Sequence, residues 1–176
     1  MKKYVLKHFY DEDKKCFVRN EKDRKMDISL LGLIYPFNMF SSKEKKIQNT
    51  VERINLSLRT YTGGYQRFEN DHYMGGNPWV ISNLWMANYY LETGEKKKAK
   101  ETFDFVIKTA GKHYFLGEQV NNDIITDSME DLVNDNFEKE ENIIINNPNT
   151  GDNSIKYLGL LVISGVMLIR ILRKMQ

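Results

Sequence analysis

The stretch between Asn77-Pro78 and Gly94 limits the fold more than any other. Val80, Ile81, Leu84, Trp85, Ala87 and Leu91 leave a helix there almost no polar side. A helix apolar over most of its circumference has to be surrounded by other elements. Asn77 is a good N-cap, Pro78 suits the first helical position, and Gly94 can close the end in the left-handed conformation. The expected helix covers 78–92. A second begins near Glu95, with Ala99, Phe103, Val106 and Ala110 on one face. The short connection makes the two pack antiparallel. Ser41 or Ser42 can cap an earlier helix over 43–59, where Ile47, Val51, Ile54 and Leu58 form one stripe. A shorter helix is expected over 27–34, stopped by Pro36, and a short strand at 16–18 follows a turn at 11–15. The fold class is all-α.

Charge divides the chain. Residues 1–120 carry 21 Lys/Arg against 15 Asp/Glu, while residues 121–176 carry 5 against 9. The basic excess is spread out, with no nucleic-acid motif beside it, so nucleic acid is not an expected partner. Cys16 is the single cysteine, and His8, His72 and His113 lie far apart. No metal-ligand spacing and no cofactor motif results. Residues 121–153 hold nine acidic residues, nine asparagines and one lysine. That composition predicts a disordered acidic tether. Residues 154–176 form the third zone. Its eighteen residues 155–172 are uncharged apart from Lys156 and Arg170, and as a helix they would reach about 27 Å. With basic residues behind them, they are expected to enter a membrane.

The run from Gly63 to Trp79 concentrates the chemistry. It is glycine-rich at both ends and holds Arg67, Glu69, Asp71, Tyr65, Tyr73 and Trp79. Loops on a rigid helical scaffold commonly carry binding groups. Aromatic rings and charged planar groups suit a sugar, which offers apolar ring faces and a rim of hydroxyls. From the residues alone, a structural loop whose polar groups satisfy one another is an equal alternative.

The pattern Arg67-x-x-x-Asp71-x-Tyr73-x-x-Gly76-Asn77-Pro78-Trp79 resembles the substrate-binding loop of the glucoamylase family, glycoside hydrolase family 15. Asp27-x-Ser29-Leu30-Leu31 with Pro36-Phe37, the helix pair with Trp85, Tyr90, Leu91 and Gly94, and Leu116-Gly117-Glu118-Gln119-Val120 are similar too. The resemblance spans about residues 8–120. It implies a partial (α/α)6 toroid of about five helices over residues 1–120, acting on an α-glucan or oligosaccharide. By resemblance Glu118 is the general base that activates water. Arg67, Asp71, Tyr73 and Trp79 are the sugar-binding residues, and no cofactor is needed. The family inverts the anomeric carbon. Inversion requires a general acid about 6.5–9.5 Å from the base. In the family that acid precedes the part represented here, so the chain alone is expected to be inactive and to need a missing N-terminal half. A partial toroid would also leave the inner face of helix 78–92 exposed.

The tail resembles a sortase sorting signal. Pro148-Asn149-Thr150-Gly151 precedes the apolar run and its basic end, which places the cut between Thr150 and Gly151. Membrane and sortase are then partners, and the cell surface is the location. The first ten residues lack a signal peptide's apolar core, so the expectation is a longer exported protein. Two rival readings are a non-catalytic glycan-binding or adhesive surface protein, and a tethered helical interaction module.

Overall fold

The computed structural model describes residues 1–110 and 116–122. The expected tether from residue 123 onward, Thr150 and Gly151 of the sorting motif, and the C-terminal apolar helix lie outside the described residues. The tether's first two residues, Asn121 and Asn122, are described and pack against the domain, with Asn122 buried. Among the described residues, no helix is long and apolar enough to cross a membrane.

The chain opens with helix α1 (Lys2–His8), which buries only Val5. A two-stranded antiparallel ribbon follows, β1 (Tyr10–Asp11) and β2 (Cys16–Phe17), with Tyr10 opposite Phe17. The turn between them is made by Asp11, whose Oδ1 accepts the amides of Asp13 and Lys14. Burial pushes the Cys16 thiol pKa up, so this cysteine packs as a small apolar group. The short helix expected over 27–34 is a 3-10 helix spanning Ile28–Leu33, and Asp27 lies just before it as its cap, its side chain accepting the Ser29 amide. Its six residues are too few for the cooperative gain of an α-helix.

Helix α2 (Lys45–Leu58) presents the anticipated stripe, and Ile47, Val51, Ile54 and Leu58 are all buried. They share one core cluster with Phe17, Val18, Met26, Leu31, Met86, Tyr89 and Tyr90. Thr50 locks the ribbon to this helix. Its hydroxyl accepts the Phe17 amide at 2.9 Å and donates to the Lys46 carbonyl at 2.7 Å.

Helices α3 (Val80–Thr93) and α4 (Lys96–Lys108) pack against each other. Gly94 joins them at φ 81°, and its amide bonds the carbonyls of Leu91 and Tyr90. Ala99, Phe103 and Val106 of α4 are buried. Val80, Leu84 and Ala87 of α3 join Phe103, Val106 and Val120 in a second core cluster. Two expectations need correction. Helix α3 starts at Val80, with Asn77 and Pro78 outside it, for a reason given below. It also has no exposed residue, so its inner face is not open. The 3-10 helix, Tyr35, α4 and the segment 116–120 cover it.

Candidate active site

The loop between α2 and α3 is held at several points. The Gln66 amide bonds the Leu58 carbonyl at 2.9 Å, and the Trp79 amide bonds the Tyr65 carbonyl at 2.9 Å. The Arg67 carbonyl accepts the Ile28 amide at 2.8 Å, and the Glu69 amide reaches the Met26 carbonyl at 3.0 Å. Gln66 Nε2 spans the loop to the Gly76 carbonyl at 2.6 Å. Two glycines are required for steric reasons. A Cβ at Gly64 would stand 2.5 Å from Pro78 and 2.6 Å from the Phe105 ring. Gly76 has φ +75°, and a Cβ there would lie 2.7 Å from the Asp71 carbonyl oxygen. Asn70 and Met74 also take positive φ, at 64° and 50°. Such strain persists only where surrounding contacts over-determine the backbone.

Inside this frame the loop folds onto Arg67. Its Nε–H donates to Asp71 Oδ2 at 2.7 Å and its Nη2–H to Oδ1 at 3.0 Å. The guanidinium lies over the Trp79 ring, 3.9 Å from its centroid, and 5.3 Å from the Tyr73 ring. The Tyr73 and Trp79 rings are themselves 6.3 Å apart. The four loop residues singled out in the sequence therefore form one cluster. Their exposures differ. Trp79 and Asp71 are buried, Arg67 is about one-third exposed, and Tyr73 is 39% exposed.

Glu118 reaches the same place by an unexpected route. Residues 118–120 run antiparallel beside 78–80. Trp79 and Gln119 form a bridge, the Val80 amide donates to the Glu118 carbonyl at 3.1 Å, and the Val120 amide donates to Pro78 at 2.8 Å. This pairing delays the start of α3. Trp79 is held extended at φ −107° and ψ 137°, so Pro78 cannot be a helical residue. Asn77 caps nothing, and its Oδ1 instead accepts the Asn122 amide at 3.2 Å. The Glu118 side chain is half-buried. Desolvation pushes its carboxyl pKa up, and the charge of Arg67 pulls it partly back. The Glu118 carboxyl and the Arg67 guanidinium thus share one electrostatic environment.

Two other carboxylates are engaged elsewhere. Glu69 accepts the Met26 amide at 3.1 Å, and Glu21 pairs with His8. Among the described residues, no group of three His, Cys, Asp or Glu side chains gathers into a metal site. Two contributors escaped the sequence reading. Gln66 staples the loop, and Phe68 lies between Arg67 and Arg19, 5.1 and 4.2 Å from their guanidinium carbons. An aromatic next to an arginine was the only available signal for Phe68. Several buried polar atoms have no hydrogen-bond partner among the described residues: Trp79 Nε1, Asn83 Oδ1 and both side-chain amide atoms of Gln119 stand close in sequence to the site.

No protein-family model matches the chain. An uncharacterized glycosyl hydrolase of Methanocaldococcus jannaschii is 38% identical over 103 residues, 57% of this chain and 17% of that protein. Trehalase 1 of Sulfolobus acidocaldarius is 28% identical over 69% of this chain and 21% of its own length. A solved glycosidase superposes with a TM-score of 0.62 at 19% identity, covering 68% of this chain and 31% of that one. A variant glycosidase in complex with glucose superposes equally, at 18% identity.

The chain is similar to glycoside hydrolases.

It spans about a fifth of the length of the curated relatives it matches, at 17% and 21%. Its fold is that of part of a helical glycosidase. These likenesses support a segment of a glycoside hydrolase.

Proposed function

We propose that this chain is the base-bearing part of a glucoamylase-like, inverting, exo-acting α-glucoside hydrolase. The observation that carries the reading is the guanidinium of Arg67, held by Asp71, laid over Trp79 and acting electrostatically on Glu118. Glu118 activates water as general base. Arg67 hydrogen-bonds the hydroxyls of the terminal glucose, and Tyr73 and Trp79 supply aromatic surface. The general acid comes from barrel helices outside the described residues. The same helices supply partners for Trp79 Nε1 and Gln119, since buried polar atoms rarely stay unpaired. The chain by itself releases no glucose from maltose.

The trehalases among the relatives favour a disaccharide with an α-glucosidic bond, either maltose or trehalose, as substrate. The test is proton NMR of the first-formed glucose during hydrolysis by the assembled hydrolase. Inversion at an α-linkage delivers β-glucose, which mutarotates later. With trehalose the leaving glucose departs as the α-anomer in either case, so α- and β-glucose should form first in equal amounts, and α-glucose alone would overturn the mechanism.

A second reading, a non-catalytic glycan-binding surface protein, is favoured by one observation: Glu21 and Glu69 are tied to His8 and Met26. It predicts that maltose binds while Glu118→Gln changes nothing. We further propose that the C-terminal segment anchors the protein at the cell surface through sortase cleavage between Thr150 and Gly151. Peptide mass spectrometry of cell-wall digests should then find Thr150 as the last residue, joined to wall peptide. Peptides that run from Thr150 through Gly151 in the wall fraction would exclude that cut.

A further inference from the structure

We propose that Asp71 is a positioning residue and not a sugar ligand: it fixes the Arg67 guanidinium so that only the outer edge of that group meets hydroxyls. The inference rests on the sugar-binding reading of Arg67 above, and it reassigns Asp71 within that site.

The Asp71 side chain is 1% exposed. Its two oxygens receive three hydrogen bonds, two from Arg67 and one from the Tyr73 amide at 3.1 Å. A carboxylate offers about four lone-pair positions, so little acceptor capacity is left, and burial keeps it from the surface. The backbone aims it inward. The Asp71 amide bonds the Phe68 carbonyl at 3.1 Å, and Asn70 just before it is left-handed at φ 64°.

Arginine carries five N–H donors in a planar fork. Asp71 occupies two of them, and the other three meet no partner among the described residues. The carboxylate sets the rotation of the fork within its plane, and the Trp79 face, 3.9 Å away, sets the plane itself. A long flexible side chain becomes a fixed array of donors, which lowers the ordering cost when a hydroxyl-rich ligand arrives. Asp71 also ties Tyr73 to the same array through the Tyr73 amide.

A double-mutant cycle on the full chain tests this, with maltose as the probe. Maltose affinity is measured for the wild type, Asp71→Asn, Arg67→Gln and the double variant. Asparagine keeps the shape of Asp71 but loses the charge and one acceptor oxygen. Arg67→Gln should weaken binding roughly 10- to 100-fold, the range for hydrogen bonds to a charged group. Asp71→Asn should weaken it by about 10-fold, and the double variant should be no worse than Arg67→Gln alone. Losses that add would mean Asp71 touches the sugar, and would overturn the assignment. A wild-type chain that binds no maltose, or an Arg67→Gln variant that binds unchanged, would overturn the underlying function and this inference with it. A sugar-free readout keeps the two apart. The Arg67 Nε–H proton signal should exchange slowly in the wild type and in Asp71→Glu, and quickly in Asp71→Asn. Slow exchange in Asp71→Asn would overturn the positioning role whatever the sugar does. If Asp71→Asn does not fold, Asp71→Ser takes its place with the same expected signs.

Discussion

Glu118→Gln is expected to lower kcat of the assembled hydrolase by roughly 10²- to 10⁴-fold, the usual contribution of a positioned general base. Maltose affinity should stay within about twofold, because glutamine preserves size and hydrogen bonding while losing the ability to take a proton. The pH dependence follows from the site. Glu118 must be ionised to act, and burial raises its pKa above the ordinary glutamate value. The acid limb of kcat/KM should therefore lie above that ordinary value. Arg67→Gln should move the limb higher still, because the arginine charge is what pulls the carboxyl back down. Stability has the opposite sign. A carboxyl whose folded pKa is raised favours the fold only while protonated. As pH rises, the unfolded chain loses its proton first and stability declines. Glu118→Gln removes that decline, so it should melt no lower than the wild type at neutral pH, and the two should converge at acid pH. Full activity in Glu118→Gln, or an acid limb below the ordinary value, would remove Glu118 from the mechanism.

Trp79→Ala carries the largest expected effect on folding, about 3–5 kcal/mol, typical of a buried aromatic cut to alanine. The ring is 5% exposed, lies against the Arg67 guanidinium and stands near Tyr73. Its residue is also the junction of the fold: it bridges Gln119, its amide bonds Tyr65, and α3 begins at the next position. Small domains hold only about 5–15 kcal/mol in total, so this loss takes up a large share of that stability. Urea unfolding measures it directly. Trp79→Phe should recover part of the stability while leaving a smaller face for the guanidinium. A loss below about 1 kcal/mol for Trp79→Ala would mean that the ring is not packed as described.

The helices were legible because burial repeats at helical spacing. Ile47, Val51, Ile54 and Leu58 on α2, and Ala99, Phe103 and Val106 on α4, are the positions that pack inward. Gly94 was legible as a stop because its backbone is left-handed, which glycine adopts without strain. The grouping of Arg67, Tyr73 and Trp79 in one loop was also visible, since these residues lie close along the chain. Helix α1 was not visible. It buries only Val5, so it carries no stripe, and contacts with the ribbon hold it.

The start of α3 shows where local signals fail. Asn77 and Pro78 form a sound helix entry by themselves. The pairing of 78–80 with 118–120 satisfies the same backbone groups from forty residues away and holds Trp79 extended. The same pairing brings Glu118 beside the loop. The inward turn of Asp71 has a comparable origin: a carboxylate in a polar loop looks like a surface ligand until Arg67 and the Tyr73 amide claim both oxygens. The sequence by itself determined the periodic helices, the stop at Gly94 and the residue types of the loop, because each depends on neighbours within a few positions. The tertiary structure alone decided where α3 begins, which way Asp71 faces and how Glu118 meets Arg67. Each of those depends on which distant backbone and side-chain groups satisfy one another once water is excluded.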